Sequence, residues 1–181
     1  MISSIINKGF NGNPIIPGDK SISHRSIIIS SISKGTSEIK NILKSDDVLN
    51  TLKAFKEMGV EIYENDNKII VHGKGLNSLK KPNKKLYLGN SGTSARLLTG
   101  LLASQNFESV LTGDESLSSR PMKRISEPLI KMNAKINTTN GKLPIKILGT
   151  ELKNADIDIT IPSAQIKSGI ILAALNTQGI T

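Results

Sequence analysis

Cationic and short polar side chains stand where the first predicted helix begins. Lys20 precedes this helix, and Ser21 and Arg25 fall four residues apart, on one helical face. Ser21 and Ser23 supply the predicted capping hydroxyls. Lysine offers a point charge and arginine a planar pair of donors, while a helix start adds unpaired N–H groups and partial positive charge. These residues predict an anion site, and a capped helix with two solvated cations is the alternative.

Two further helix starts carry small polar residues. Residues 89–94 form a loop in which Gly92, lacking a side chain, lets a ligand approach the backbone closely. A tight turn that needs positive φ is the alternative there. Residues 163–165 precede another apolar helix, where the amide of Gln165 can both donate and accept. Simple capping by Ser163 explains that segment equally well.

A fourth basic element is the loop at residues 117–124. Arg120 stands just before Pro121, the predicted first residue of a helix. A guanidinium at that place can pair with a carboxylate or a phosphate through two parallel bonds, and an exposed basic loop is the alternative. His24 is assigned to its helix without a chemical role. The acidic pair at residues 46–47 is assigned to the favourable end of a helix dipole.

The elements that carry these helix starts repeat along the chain. Each unit begins with a strand, a turn and an apolar helix, and Pro17, Gly89 and Pro162 mark these turns at nearly equal spacing. A strand, a second helix and two strands complete the unit. The units cover about residues 13–75, 84–150 and 154–181. The predicted fold class is α/β (α+β), a pseudo-symmetric domain of repeated β-α-β-α-β-β units with two complete and the third truncated.

The predicted boundaries follow from apolar periodicity and turn residues. The second helices are predicted at residues 46–58, with Ser45 as the N-cap, and at residues 121–132. Opening strands are predicted at residues 15–16, 86–88 and 159–161, with a last strand beginning at residues 179–181. The remaining strands are predicted at residues 36–39, 60–63, 69–72, 108–111, 134–137 and 145–148.

Composition narrows the classes of function. The net charge of +9 fits nucleic-acid binding, attraction of small anions or a biased surface composition, but aromatic residues at 3% disfavour the first. The absence of cysteine excludes disulfides and thiolate metal sites, and two histidines are too few for a metal cluster. No apolar run is long enough to span a bilayer, and the N-terminus lacks signal-peptide features. A cytoplasmic protein is expected.

Four blocks of the sequence resemble the EPSP synthase family of enolpyruvyl transferases. They follow in family order at residues 17–25, 88–96, 112–122 and 162–168. The resemblance implies two similar domains, each of three units with helices inside and sheets outside. Residues 1–12 would then be a segment that packs on the second domain, and residues 13–181 would form the first domain, incomplete.

The resemblance also implies an activity. The family transfers the enolpyruvyl group of phosphoenolpyruvate to the 5-hydroxyl of shikimate 3-phosphate, in the biosynthesis of chorismate and aromatic amino acids. It releases phosphate through a tetrahedral intermediate and uses no metal or organic cofactor. The expected partners are these two small anions, with neither nucleic acid nor membrane, and a monomer is expected for the complete enzyme. Residues 1–181 alone are expected to be inactive, because the family's proton-transfer acids lie in its second domain.

Individual roles follow from positions that match the family motifs. Lys20 is expected to contact both substrates and is the catalytic candidate. The shikimate 3-phosphate site would comprise Lys20, Ser21, Arg25, Ser163, Ala164 and Gln165. The phosphoenolpyruvate site would comprise Lys20, Asn90, Gly92, Arg120 and Gln165. Some relatives have serine beside the glutamine, so Ala164 could help only through its backbone.

Three alternatives remain at this point. UDP-N-acetylglucosamine enolpyruvyl transferases share the fold, but they typically have asparagine in place of Ser21 and a cysteine in the loop that contains Arg120. An RNA-binding or RNA-end-processing domain of related fold would show strong, salt-dependent RNA binding. A purely structural fragment would bind no small ligand.

Overall fold

A computed structural model of the protein describes residues 12–65 and 68–181, which form helices and two β-sheets. The helices are α1 Lys20–Ile32, α2 Asp46–Glu57, α3 Gly92–Ala103, α4 Glu115–Ser119, α5 Lys123–Lys131 and α6 Ala164–Ala174. The strands are β1 Lys34–Lys40, β2 Glu61–Asn65, β3 Lys68–Lys74, β4 Leu86–Tyr87, β5 Glu108–Thr112, β6 Lys135–Thr139 and β7 Lys142–Leu148. The predicted mixed α/β class is confirmed. None of the described helices is long and apolar enough to cross a membrane.

Each sheet belongs to a different stretch of the chain. The first has the order β1-β3-β2 and is antiparallel, and the second has the order β4-β5-β7-β6, with β4 parallel to β5. Leu143, Ile145 and Ile147 alternate with exposed residues along β7 and are buried. This alternation shows that helices cover one face of the sheet while the other faces solvent.

The core lies between the sheets and the helices, with α3 at its centre. Ten of the residues of α3, including Leu97, Leu98 and Leu101, are buried. The helix touches α6 at glycines, since a Cβ atom on Gly100 would lie 1.9 Å from the carbonyl oxygen of Gly169. Without side chains at these positions, the two backbones come into direct contact. The expected arrangement of inner helices and outer sheets is confirmed.

Two predicted opening strands and the predicted last strand do not form. Residues 15–16, 159–161 and 179–181 adopt no strand conformation, and Ile15 is 99% exposed. A strand needs a neighbour for its backbone N–H and C=O groups, and among the described residues only the opening strand β4 has one, β5. Within the described residues, the first unit therefore begins with α1. Residues 1–11 of the predicted N-terminal segment lie outside the described residues.

In the second unit, helix α4 was not predicted, and helix α5 is shorter than predicted. The short α4 comes before Arg120, and α5 begins at Lys123 instead of Pro121. The reason is that the Met122 N–H donates to the carbonyl oxygen of Gly141, at 2.8 Å, which ties residue 122 to the β6–β7 hairpin. The helix α2 does start after Ser45 as predicted, but the Ser45 hydroxyl makes no capping bond.

Candidate anion-binding site

The chain enters α1 through a loop that is fixed against a neighbouring loop. A Cβ atom on Gly18 would lie 2.0 Å from the carbonyl oxygen of Asn41, so only glycine fits there. Asp19 caps the helix by accepting from the Ile22 N–H at 2.7 Å. The prediction that Ser21 and Ser23 cap α1 is therefore wrong, because the Asp19 carboxylate already takes that place.

Lys20 and Arg25 both emerge from the first two turns of α1. Lys20 forms an ion pair with Asp47 of α2, a partner that the dipole assignment of that acid did not anticipate. The Arg25 guanidinium donates to the Ser21 carbonyl oxygen at 3.3 Å and to Ser168 Oγ of α6 at 2.8 Å. The side chain of Ser21 is exposed beside them. Both cations are held by neighbouring residues, while Lys20 is exposed and Arg25 is half-buried.

The second helix start surrounds Gly92 with arginines. Ser91 caps α3 by accepting from the Ser94 N–H at 3.1 Å. A Cβ atom on Gly92 would lie 2.7 Å from Arg96 Nη1 and 3.1 Å from Arg120 Nη1. Arg120 also donates to Asn90 Oδ1, at the turn just before Gly92. The glycine thus leaves room for two guanidinium groups at the first residue of the helix.

The third helix start joins the other two. Ser163 caps α6, with the Ile166 N–H donating to its Oγ at 3.4 Å, and Ala164 is exposed. Gln165 Nε2 donates to Thr93 Oγ1 of α3 at 2.9 Å, and Gln165 Oε1 accepts from Arg96 at 3.1 Å. Together with the bond between Arg25 and Ser168, these contacts place the starts of α1, α3 and α6 side by side.

The charges of the second helix start are not neutralised by acids. Within residues 12–65 and 68–181, no carboxylate forms an ion pair with Arg25, Arg96 or Arg120. Burial lowers the pKa of Arg96, and the charges of Arg120 and Arg124 lower it further. The described hydrogen-bond partners of these guanidinium groups are neutral acceptors, an arrangement that favours an anion beside them.

Arg96 and Thr93 were missed as site residues in the sequence. Arg96 follows Gly92 by four residues, as Arg25 follows Ser21, so the same helical spacing could have identified it. Thr93 carries no such signal, since its role depends on contact with Gln165 from a distant part of the chain. His24 likewise has a place that sequence does not show, buried between α1, α2 and α3.

Fold and site together define a class: a mixed α/β repeat protein in which cations and short polar side chains gather at three adjoining helix starts. Residues 6–181 match the family described as EPSP synthase (3-phosphoshikimate 1-carboxyvinyltransferase). The chain belongs to the EPSP synthase family.

Curated relatives and a solved structure agree with this assignment. The chain is 54% identical over 171 residues to the 3-phosphoshikimate 1-carboxyvinyltransferase of Vesicomyosocius okutanii, covering 94% of this chain and 39% of that protein. It is 52% identical over 180 residues to the enzyme of that name from Lactococcus lactis, covering 98% and 42%. An EPSP synthase structure from Acinetobacter baumannii matches with a TM-score of 0.91 and 49% identity, over 96% of this chain and 40% of that one. The chain therefore spans about two fifths of the length of these relatives.

Proposed function

We propose that the whole protein transfers the enolpyruvyl group of phosphoenolpyruvate to the 5-hydroxyl of shikimate 3-phosphate. The 5-hydroxyl oxygen adds to C2 of phosphoenolpyruvate and loses its proton while C3 gains one, giving a tetrahedral adduct. Loss of phosphate and of a proton then restores the double bond. The names of the curated relatives support this reaction, and this chain would contribute the anion-binding residues described above.

The proposal rests on two adjoining groups of cationic and polar residues. One lies at the starts of α1 and α6, and the other lies at the start of α3. Arg25 lies against α6, which also carries Ser163, Ala164 and Gln165, and with Lys20 and Ser21 this group is assigned to shikimate 3-phosphate. The second group comprises Asn90, Gly92 and Arg120, and it is assigned with Lys20 and Gln165 to phosphoenolpyruvate. Gln165 contacts Thr93 and Arg96 and so lies where the two groups meet.

This arrangement addresses the main difficulty of the reaction. Two anionic substrates repel each other, and cations at both subsites offset that repulsion. Holding the two molecules side by side also removes much of the entropic barrier of a bimolecular step. Lys20 is the proposed catalytic residue because its side chain is half exposed, at 50%, and its described ion pair is with the single acid Asp47, so the ammonium can turn toward a phosphate.

Calorimetry with shikimate 3-phosphate tests the binding part of the proposal. The wild-type chain should bind this ligand and should bind shikimate, which lacks the phosphate, far more weakly. Because a hydrogen bond to a charged group contributes about 1.5–3 kcal/mol, Arg25→Ala and Lys20→Ala should each weaken binding about tenfold or more. Lys146→Ala removes the same charge from β7 and is the matched control. Equal affinities for all four proteins would refute the assignment.

Phosphate release tests the reaction itself. The whole protein should release phosphate only when both substrates are present, and omission of either one is the control. Release from phosphoenolpyruvate alone would contradict the proposal. The proposal includes a cytoplasmic monomer without a nucleic-acid partner. RNA binding that persists at physiological salt, or a dimer in size-exclusion chromatography, would count against those parts of it.

A further inference from the structure

His24 is a buried ring that the proposed reaction does not use. It is fully buried on α1, facing α2 and α3. Its Nδ1 lies 2.8 Å from Thr51 Oγ1 of α2 and 3.3 Å from Ser94 Oγ of α3. Its Nε2 lies 3.5 Å from the oxygen of Ser91, the residue that caps α3. One ring therefore contacts three hydroxyl groups on two neighbouring helices.

The hydroxyl groups around the ring favour a proton on Nδ1 over one on Nε2. Thr51 Oγ1 donates its single hydrogen to the carbonyl oxygen of Asp47, at 3.1 Å. With that hydrogen directed to Asp47, Thr51 accepts from the ring, an arrangement that favours a proton on His24 Nδ1. Ser94 Oγ lies 2.5 Å from Thr51 Oγ1 and 2.7 Å from Ser91 Oγ and completes the network. The neutral ring then has a lone pair on Nε2, toward the Ser91 hydroxyl.

The contacts of this network lead directly to the proposed anion site. Thr51 is one helical turn after Asp47, and the Asp47 carboxylate pairs with Lys20. On α3, Ser91 directly precedes Gly92, which stands between the two arginines. One residue, Asp47, thus separates Lys20 from Thr51, which contacts His24. Gly92 directly follows Ser91, which also contacts the ring.

We infer that His24 is a positioning residue, whose neutral, Nδ1-protonated ring fixes the starts of α2 and α3 against α1. The inferred effect of His24 on ligand binding rests on the proposed function. The inferred protonation of its ring is independent of that function. Without the ring, α3 would start at a less defined distance from Lys20 and Arg25. The binding residues on α1 and those at the start of α3 would then no longer be held at a fixed distance for the two anions.

The charges around the ring favour its neutral form. Burial lowers the pKa of His24 to about 4. Asp47 on α2 raises it, and Lys20 and Arg25 on α1 lower it, while α3 presents only the hydroxyl groups of Ser91 and Ser94. The ring is consequently neutral at physiological pH.

Three variants separate positioning from simple packing. His24→Asn keeps an N–H donor near the place of Nδ1, whereas His24→Leu has neither donor nor acceptor. Thr51→Val keeps the shape of the partner and removes its hydroxyl. The measurements are ring-nitrogen NMR of the wild type between pH 5 and 8, amide hydrogen exchange at Ser94, and calorimetry with shikimate 3-phosphate.

The inference expects a ring that stays neutral over this range with its proton on Nδ1. His24→Leu and Thr51→Val should speed exchange of the Ser94 amide, whose bond to Ser91 closes the start of α3, and should weaken ligand binding about tenfold. His24→Asn should recover most of both losses. If His24→Leu does not fold, Thr51→Val alone decides between these outcomes.

Other results would overturn the inference. A ring that titrates near its ordinary pKa or carries its proton on Nε2 contradicts it, as does unchanged Ser94 exchange in Thr51→Val. Equal ligand affinity of Thr51→Val and wild type also contradicts it. If the wild type binds no shikimate 3-phosphate, the proposed function fails. The NMR and exchange results then still show whether the His24 ring is neutral, carries its proton on Nδ1 and fixes the start of α3.

Discussion

Arg25 on α1 and Ser168 on α6 are joined by a hydrogen bond of 2.8 Å although 143 positions separate them in the sequence. The other described bond of this guanidinium goes to a backbone carbonyl of its own helix. Both acceptors are neutral, so they orient the side chain without neutralising its charge. An anion beside α6 would therefore meet an oriented cation that has no acidic partner among residues 12–65 and 68–181.

Substitution of Arg25 by lysine should separate charge from geometry. Lysine keeps the positive charge but cannot present two parallel donors or reach Ser168 in the same way. We expect Arg25→Lys to weaken shikimate 3-phosphate binding by less than about tenfold, and so by less than Arg25→Ala does. Ser168→Ala should have a smaller effect, because it leaves the guanidinium in place. Calorimetry checks the order, and full affinity in Arg25→Lys would show that only the charge matters.

A methyl group at Gly92 should disturb ligand binding more than folding. It would lie 2.7 Å from Arg96 Nη1 and 3.1 Å from Arg120 Nη1, both at the ends of flexible side chains. The arginines can move aside, so the free energy of unfolding of Gly92→Ala should stay within about 0.5 kcal/mol of wild type. Affinity for phosphoenolpyruvate should fall about tenfold, because both guanidinium groups leave their positions. Urea titration and calorimetry test the two parts, and a large loss of stability would contradict the expectation.

The stability of the protein should fall in mild acid because of His24. Its pKa is about 4 in the folded protein and 6.5 ordinarily, so below pH 6.5 the unfolded chain binds the proton and the folded chain resists it. The unfolding free energy should drop by about 2 kcal/mol between pH 7 and pH 5. Glu38 and Glu61, whose pKa values are lowered by bonds to lysines, lose their contribution only below their ordinary 4.5.

Urea unfolding of wild type and His24→Asn at both pH values checks this prediction. Asparagine does not titrate, so the variant should lose most of the difference between pH 7 and pH 5. A wild type with equal stability at the two values would show that the ring titrates normally in the fold.

The change Gly100→Ala should lower the free energy of unfolding, whereas the same change at an ordinary helical glycine raises it. In a free helix the change stabilises by up to about 1 kcal/mol. Here the Cβ atom would lie 1.9 Å from the Gly169 carbonyl oxygen, and a backbone atom cannot swing aside as a side chain can. We expect a loss of about 1–3 kcal/mol in the free energy of unfolding. Urea titration of Gly100→Ala checks this, with Lys53→Ala on the exposed face of α2 as control.

The sequence predicted those elements whose signals are local. Alternating apolar residues predicted β2 and β6, and turn residues predicted the hairpin at residues 140–141, where both φ values are positive. The start of α3 followed from small residues before an apolar run. The site could be anticipated because three similar helix starts recur at similar spacing.

The remaining features depend on contacts between distant segments. Residues 15–16 and 159–161 look like strands, but pairing decides whether a strand forms, and alternation does not show a missing neighbour. The pairing of Lys20 with Asp47, like the bonds of His24, joins α1 to α2 and α3. Neither contact leaves a mark in the spacing of residues along one helix.

The contact between Gly100 and Gly169 also limits how the protein can respond to a ligand. The helices α3 and α6 already touch through their backbones, so bound molecules cannot draw them closer together. Adjustment to ligands of different size is therefore left to the long arginine side chains at the helix starts. A variant selected for a bulkier or smaller ligand should accordingly change those side chains and keep both glycines.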